Sequence, residues 1–222
     1  MILRDYNPEN YQFRELLLQI FEVDELSKAH ELDLSLCADG NLVTFANEVK
    51  TYFHQTFYNK LNEPWQEFRQ TYKDFIEHEI SPLFKESFAY QALPSFRIQV
   101  PNNKAVSLWH YDSDPQHRHP DGEINFIIAV TKAFGTNAVW AESSPGAQDF
   151  KPMEMDYGQF IQFNGNKCAH GNKVNKTGSS RISFDFRVLP ISKYDPELFE
   201  SNSSGDTSRK FIIGDYYSLY EK

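Results

Sequence analysis

The stretch Arg181-Ile-Ser-Phe-Asp-Phe-Arg187 alternates polar and apolar residues without a break. Successive side chains of a strand point to opposite faces, so Ile182, Phe184 and Phe186 share one side and Arg181, Ser183, Asp185 and Arg187 the other. Residues 181–189 therefore read as a strand with one face in a core. The run Ser95-Phe-Arg-Ile-Gln-Val repeats the arrangement, with Phe96, Ile98 and Val100 opposite Arg97 and Gln99. In the next such run Glu123 and Asn125 stand opposite Ile124, Phe126, Ile128 and Val130. Any one polar face could simply meet water, as is usual for an antiparallel sheet; together they can line one cavity.

Working outward, short apolar runs bounded by Pro, Gly, Asn and Asp predict strands at 95–100, 107–111, 123–131, 137–142, 159–163 and 181–189. Phe134-Gly-Thr136 reads as a hairpin connection. Six such strands with few helical interruptions predict an antiparallel sandwich or barrel. Upstream, residues 7–94 are mostly helical in period: Phe13, Leu16, Leu17, Ile20 and Phe21, then Phe53, Phe57, Leu61, Trp65, Phe68 and Tyr72. Asp39-Gly-Asn41 breaks that pattern and Pro64 suits a helix start. Residues 201–207 read as a polar loop, and the aromatic run 211–220 as a tail that packs back on the body. The division is thus a helical region 1–94, a β core 95–191 and a tail 192–222, in one compact domain.

The composition of 222 residues, 40% hydrophobic, 24% charged, with 10 Gly and 11 Pro, excludes disordered and collagen-like chains. With 22 Lys and Arg against 31 Asp and Glu, the net charge of -9 argues against nucleic acid or an anionic membrane as partner. Two cysteines are too few for a disulfide framework, and no run reaches membrane-spanning length. The expectation is a cytoplasmic protein whose partner is a small molecule; a homo-oligomer is compatible with the sequence.

His110-Tyr-Asp112 places two metal-ligand side chains two residues apart, on one side of an extended chain. His170, after the loop Asn164-Gly-Asn166, can supply a third ligand from a neighbouring strand. Two imidazoles and one carboxylate form the facial triad of non-haem Fe(II) oxygenases, which leaves positions open for oxygen and substrates. Eleven residues beyond His170 stands Arg181, with Ser183 on the same strand face. The planar guanidinium can grip a terminal carboxylate through two parallel hydrogen bonds, and the hydroxyl adds a third donor.

In this pattern the chain resembles the iron(II)/2-oxoglutarate-dependent oxygenases. Within them it is most similar to the group containing the streptomycin-biosynthesis protein StrG, through Trp109-His-Tyr-Asp112, Gly122-Glu-Ile-Asn-Phe126, Gly135-Thr-Asn137, Glu142-Ser-Ser-Pro-Gly146, His170-Gly-Asn172 and 181–187. The resemblance covers about residues 96–190. It implies a double-stranded β-helix, a jelly-roll barrel of cupin-like form, buttressed by helices. It further implies Fe(II) held by His110, Asp112 and His170, and 2-oxoglutarate held at its far carboxylate by Arg181 and Ser183, with Gln99 and Asn125 as further cosubstrate contacts. O2 is the other cosubstrate, succinate and CO2 are released, and a small polar metabolite (a sugar, cyclitol or amino-acid-like molecule) is hydroxylated. Arg97, Trp140, Glu142 and Arg187 are candidate contacts for that substrate.

Two rival readings bear on the same residues. His117-Arg-His-Pro-Asp-Gly-Glu123 has the His-x-His-x-x-x-Glu spacing of cupin metal sites, which would make the chain a metal-dependent isomerase or a sugar-binding barrel. Pro120 and Gly122 make this segment read as a loop with His117 and His119 exposed on it. The other rival is a non-catalytic interaction barrel that uses an aromatic surface including Tyr216, Tyr217 and Tyr220. These rings more simply cover the body of the protein.

Overall fold

The strand 181–190 pairs on both sides, and the rest of the architecture follows from that. In the computed structural model, which describes residues 1–37, 50–105, 109–200 and 209–222, the strands in chain order are β1 Ile2–Asp5, β2 Phe88–Gln91, β3 Ser95–Gln99, β4 Ile124–Ala129, β5 Val139–Ala141, β6 Lys151–Pro152, β7 Gln159–Phe163, β8 His170–Asn172, β9 Arg181–Pro190 and β10 Tyr217–Tyr220. A seven-stranded sheet has the order β1-β7-β4-β9-β2-β10, with β3 also paired to β9. A three-stranded sheet has the order β6-β5-β8. Every strand pair is antiparallel. The chain is mostly β-sheet, with helices on one side.

Three helices cover the outer face of the large sheet: α1 Phe13–Phe21, α2 Tyr52–Asn62 and α3 Gln66–Phe75. On α1 the buried Phe13, Leu16, Leu17 and Phe21 recur at helical spacing, and the helix stops at Glu22, whose φ of 54° is left-handed. Thr51 caps α2 by accepting from the His54 amide. α3 runs on into a wider turn, Ile76–Ile80, and ends before Pro82. These helices press Phe13, Phe57, Phe68 and Phe75 onto Phe96, Phe126, Phe160, Ile182, Phe184 and Phe186 of the sheet. Phe57 stacks on Phe96 at 4.7 Å, and Phe68 meets Phe184 at 5.2 Å. Each such ring pair contributes about 0.5–1.5 kcal/mol beyond the area it buries. On the opposite face Ile127, Ala129, Ile161 and Phe163 meet Ala138, Ala141, Met153 and Met155 of the small sheet and its connections. A short helix, α4 Pro196–Glu200, precedes the final segment, where Phe211, Tyr216 and Tyr217 pack on Ala89 and Leu189.

Several expectations are corrected. β1 and β2 lie inside the stretch 1–94 expected to be helical. Both are four-residue strands that depend on partners far along the chain, Gln159–Phe163 and β9. Gly135–Asn137 is a 3-10 turn rather than a hairpin, because β4 and β5 belong to different sheets. His110 makes a single antiparallel bridge to His170 in place of the strand expected at 107–111. Residues 107 and 108 lie outside the described residues, as do the break at 39–41 and the loop at 201–207. No helix among the described residues is long and apolar enough to cross a membrane.

Candidate metal centre

Register brings the polar faces together. In the β3–β9 pair Gln99 stands opposite Arg181 and Arg97 opposite Ser183; in the β4–β9 pair Asn125 stands opposite Arg187. These side chains point away from the helices, toward the small sheet. Between the sheets is a small cavity of about 70 Å³ that opens to solvent. His110, His170, Arg181, Arg97, Asn125, Asp185 and Arg187 line it together with the apolar Ile127, Val139, Met153 and Phe163.

His110, Asp112 and His170 converge. One ligand atom of each lies within 4.8 Å of the others, and Asp112 Oδ1 is 3.5 Å from His110 Nε2 and 3.6 Å from His170 Nε2. Ligands at about 2.1 Å on adjacent octahedral positions stand about 3 Å apart, so small side-chain rotations close this set on one ion. The backbone fixes the two imidazoles relative to each other: His110 N–H donates to the His170 carbonyl at 3.1 Å, and His170 N–H donates to that of His110 at 2.8 Å. Asp112 N–H donates to the Gly165 carbonyl at 2.9 Å. A Cβ at Gly165 would lie 2.8 Å from Asn125 and Phe163 side-chain atoms, so this approach requires glycine.

The donor set suits a divalent cation. His170 Nδ1–H donates to the Cys168 carbonyl at 3.0 Å, which turns Nε2 toward Asp112 as a lone-pair donor. Burial pushes the His170 imidazole down to about 4, so it is neutral near pH 7. Burial alone would raise the Asp112 carboxyl, but Arg187 and the surrounding histidines outweigh it and hold the group well below the carboxylate range. Its second oxygen, Oδ2, accepts from Arg187 Nε at 2.9 Å and Asn125 Nδ2 at 2.6 Å. Oδ1 is thereby the oxygen presented to a metal. The carbonyl oxygen of Asn125 is buried without a hydrogen-bond partner, an acceptor at the cavity that a bound molecule can satisfy.

Arg181 is fully buried; its Nε donates to the Asn137 carbonyl at 3.1 Å and its terminal nitrogens to Ser183 Oγ at 2.8 Å and Asn172 Oδ1 at 3.0 Å. The more distant Gln99 Oε1 stands at 3.5 Å. Ser183 and Gln99, expected to touch a ligand, are instead behind the guanidinium as braces and do not line the cavity.

The candidate substrate contacts divide. Arg97 lines the cavity, with Nε 2.8 Å from Asp185. Arg187 also lines it, yet spends its donors on Asp112 and on Asp185 at 2.9 Å. Trp140 and Glu142 do not line it. The Trp140 indole N–H donates to the Gly135 carbonyl under the Lys173 ammonium. Glu142 accepts from the Ala169, Gly146 and Gln148 amides, which hold its carboxyl below the usual range and tie a loop together.

The loop histidines differ most from expectation. His117 stacks on His110 at 4.3 Å while its Nδ1 meets Asp114 at 2.8 Å. The His119 side chain is only 9% exposed and its Nδ1 meets the wholly buried Glu123 at 2.8 Å. His119 and Glu123 form with Asp112 a second trio whose ligand atoms are within 4.8 Å. Reading His119 as a surface residue is therefore wrong; the four-residue spacing to Glu123 spans a turn that folds the imidazole inward. Asp185 lines the cavity, as its place on the polar face of β9 led one to expect, whereas Gln91 and the contacts of Tyr216 and Tyr217 toward the site escape the sequence reading.

The low His170 value carries a pH prediction for the metal-free protein. The unfolded chain takes up the proton near pH 6.5 and the folded protein only near pH 4, so stability is intact above 6.5 and falls as pH drops through that window. The urea midpoint should decrease from pH 7.5 to 5, and less steeply in His170→Asn. Equal slopes in the two proteins would show that His170 does not titrate in this way.

No protein-family model matches the chain. Among solved structures it is similar to the non-heme alpha-ketoglutarate-dependent carbocyclase SnoK from nogalamycin biosynthesis, at 14% identity over 70% of this chain and 72% of that one, with a TM-score of 0.47. The nickel complex of the non-heme monooxygenase ThoJ gives 12% identity over 84% and 71%, with a TM-score of 0.43. A 2OG-Fe(II) oxygenase family oxidoreductase from Burkholderia pseudomallei gives 13% over 62% and 58%, with a TM-score of 0.36. The streptomycin biosynthesis protein StrG of Streptomyces griseus is 32% identical over 182 residues, covering 82% of this chain and 83% of its own. By that similarity along most of both chains, the protein belongs to the StrG family.

Proposed function

We propose that the chain is a non-haem Fe(II)- and 2-oxoglutarate-dependent oxygenase built on a double-stranded β-helix, acting on a small polar metabolite. The observation that carries this reading is that His110, His170 and Arg181 line one cavity, with Asp112 converging on the two imidazoles at its wall. Iron(II), 2-oxoglutarate and O2, when bound, would supply an oxidant able to remove hydrogen from an unactivated C–H bond, one oxygen atom of O2 going into succinate as CO2 is released. The chain's own residues do the rest. His110, Asp112 and His170 hold the metal, and Arg187 with Asn125 keeps Asp112 ionised and turned toward it. Arg181, braced by Ser183, Asn172 and the Asn137 carbonyl, takes the far carboxylate of the keto acid. Ile127, Val139, Met153 and Phe163 keep water from the reacting groups, while Arg97 and Asp185 offer charge and hydrogen bonds to a polar substrate. Membership beside a protein of streptomycin biosynthesis supports a sugar, cyclitol or amino-acid-like substrate.

The test is succinate release from 2-oxoglutarate in the presence of Fe(II) and ascorbate. The native chain should show slow turnover without added substrate. His170→Ala should abolish it, and Arg181→Ala should raise the KM for 2-oxoglutarate by about a hundredfold, the loss of a charge-assisted contact of about 3 kcal/mol. Turnover equal to native in both variants would overturn the assignment.

A further inference from the structure

Asp112 has no strand of its own. It follows a single bridge residue, His110, and its side chain must be held from outside. Two chains of contacts hold it, and both begin in the final segment of the molecule. In the first, Tyr216 O–H donates to Gln91 Oε1 at 3.0 Å; Arg187 Nη1 donates to the same oxygen at 3.3 Å, and Arg187 Nε donates to Asp112 Oδ2. In the second, Tyr217 O–H donates to one oxygen of Glu123, whose other oxygen meets His119 Nδ1. His119 reaches Asp112 twice, through its backbone N–H to the Asp112 carbonyl at 3.0 Å and through a ring nitrogen within 4.8 Å of the carboxylate.

The rings of both tyrosines are buried against Phe211, Ala89 and Leu189, and phenylalanine would pack there as well. A buried hydroxyl is costly unless it has a partner. Here one hydroxyl leads through Gln91 and Arg187 to the Asp112 carboxylate, and the other through Glu123 and His119 to the Asp112 backbone, with the His119 ring beside the carboxylate. Phe211 and Tyr216 also wall in the His119 ring at 4.7 and 5.7 Å.

We propose that the segment carrying Tyr216 and Tyr217 is part of the metal centre: the two hydroxyls are positioning groups that fix Asp112 in its ligating pose. The inference rests on the reading of His110, Asp112 and His170 as metal ligands. It assigns the aromatic tail a role in metal affinity beyond covering the sheet.

The experiment is titration of the full metal-free chain with Co(II), followed by calorimetry and by the visible bands of the bound ion. The proteins are native, His170→Ala, Tyr216→Phe, Tyr217→Phe, the double Tyr216→Phe/Tyr217→Phe variant and Tyr220→Phe. Tyr220 lies on the same strand, but its hydroxyl meets Ser81 at 3.1 Å, outside both chains of contacts. Loss of outer-shell partners typically costs 10–100-fold in metal affinity. The double variant should bind Co(II) at least about tenfold more weakly with shifted bands, while Tyr220→Phe binds as native does. Native affinity and bands in the double variant, with binding lost in His170→Ala, would overturn the proposal and leave the ligand assignment standing. Unchanged binding in His170→Ala would overturn the ligand assignment itself, and the proposal with it. Should the double variant fail to fold, Glu123→Gln gives the same reading on the second chain of contacts.

Discussion

Arg187→Met should destabilise the metal-free protein by about 3–5 kcal/mol, the usual result of removing one partner from a buried charge pair. Arg187 is 8% exposed and donates to two carboxylates, those of Asp112 and Asp185, each at 2.9 Å. Methionine matches the aliphatic stem and leaves the buried Asp112 and the half-buried Asp185 without the guanidinium they share. Asp185 keeps Arg97, but Asp112 keeps only the neutral Asn125 amide and its histidines. Urea unfolding at pH 7.5 measures the effect. A divalent cation should restore more stability to the variant than to the native chain, since it replaces the missing positive charge. A loss under about 1 kcal/mol would mean that the carboxylates are reached by water and that the cation is dispensable.

A second large effect is expected from Asp112→Asn, which keeps the shape of the side chain and removes its charge. The triad then has no anionic ligand, and Arg187 is left with Asp185 alone to offset its charge. A unit charge at about 4 Å in a medium of effective dielectric about 20 is worth about 4 kcal/mol, so Co(II) affinity should fall about a thousandfold. Calorimetric titration would show it, and a fall of less than tenfold would remove Asp112 from the ligand set. The metal-free protein should lose less stability than in Arg187→Met, because a neutral amide is cheaper to bury than an unpaired carboxylate.

The sequence shows most where one strand carries both a core face and a polar face. The alternation in β9, β3 and β4 is strict because their apolar sides meet the phenylalanines of the helices, and those strands were legible to within two residues at either end. β1, β2 and β10 were not legible: each has four residues, too few to display a period, and each exists because a longer strand offers it an edge. Among the site residues, His110, Asp112 and His170 could be found from chemical type and spacing. Arg187 could not be told from Arg97, since two arginines on one polar face differ only in what register sets opposite them. Only the fold shows that Arg187 reaches the Asp112 carboxylate while Arg97 meets Asp185. His119 shows a related limit: a Pro- and Gly-containing turn looks solvent-exposed in one dimension and here folds a buried imidazole against the site.

Because Arg181, Ser183, Asp185 and Arg187 alternate with Ile182, Phe184 and Phe186 on a single strand, insertion or loss of one residue there would drive charges into the aromatic layer and rings into the cavity. Relatives that accept different molecules are therefore expected to keep this strand's length and vary elsewhere. The three-stranded sheet and the connection between Glu142 and Lys151 carry no such double duty, and diversification can proceed there one residue at a time.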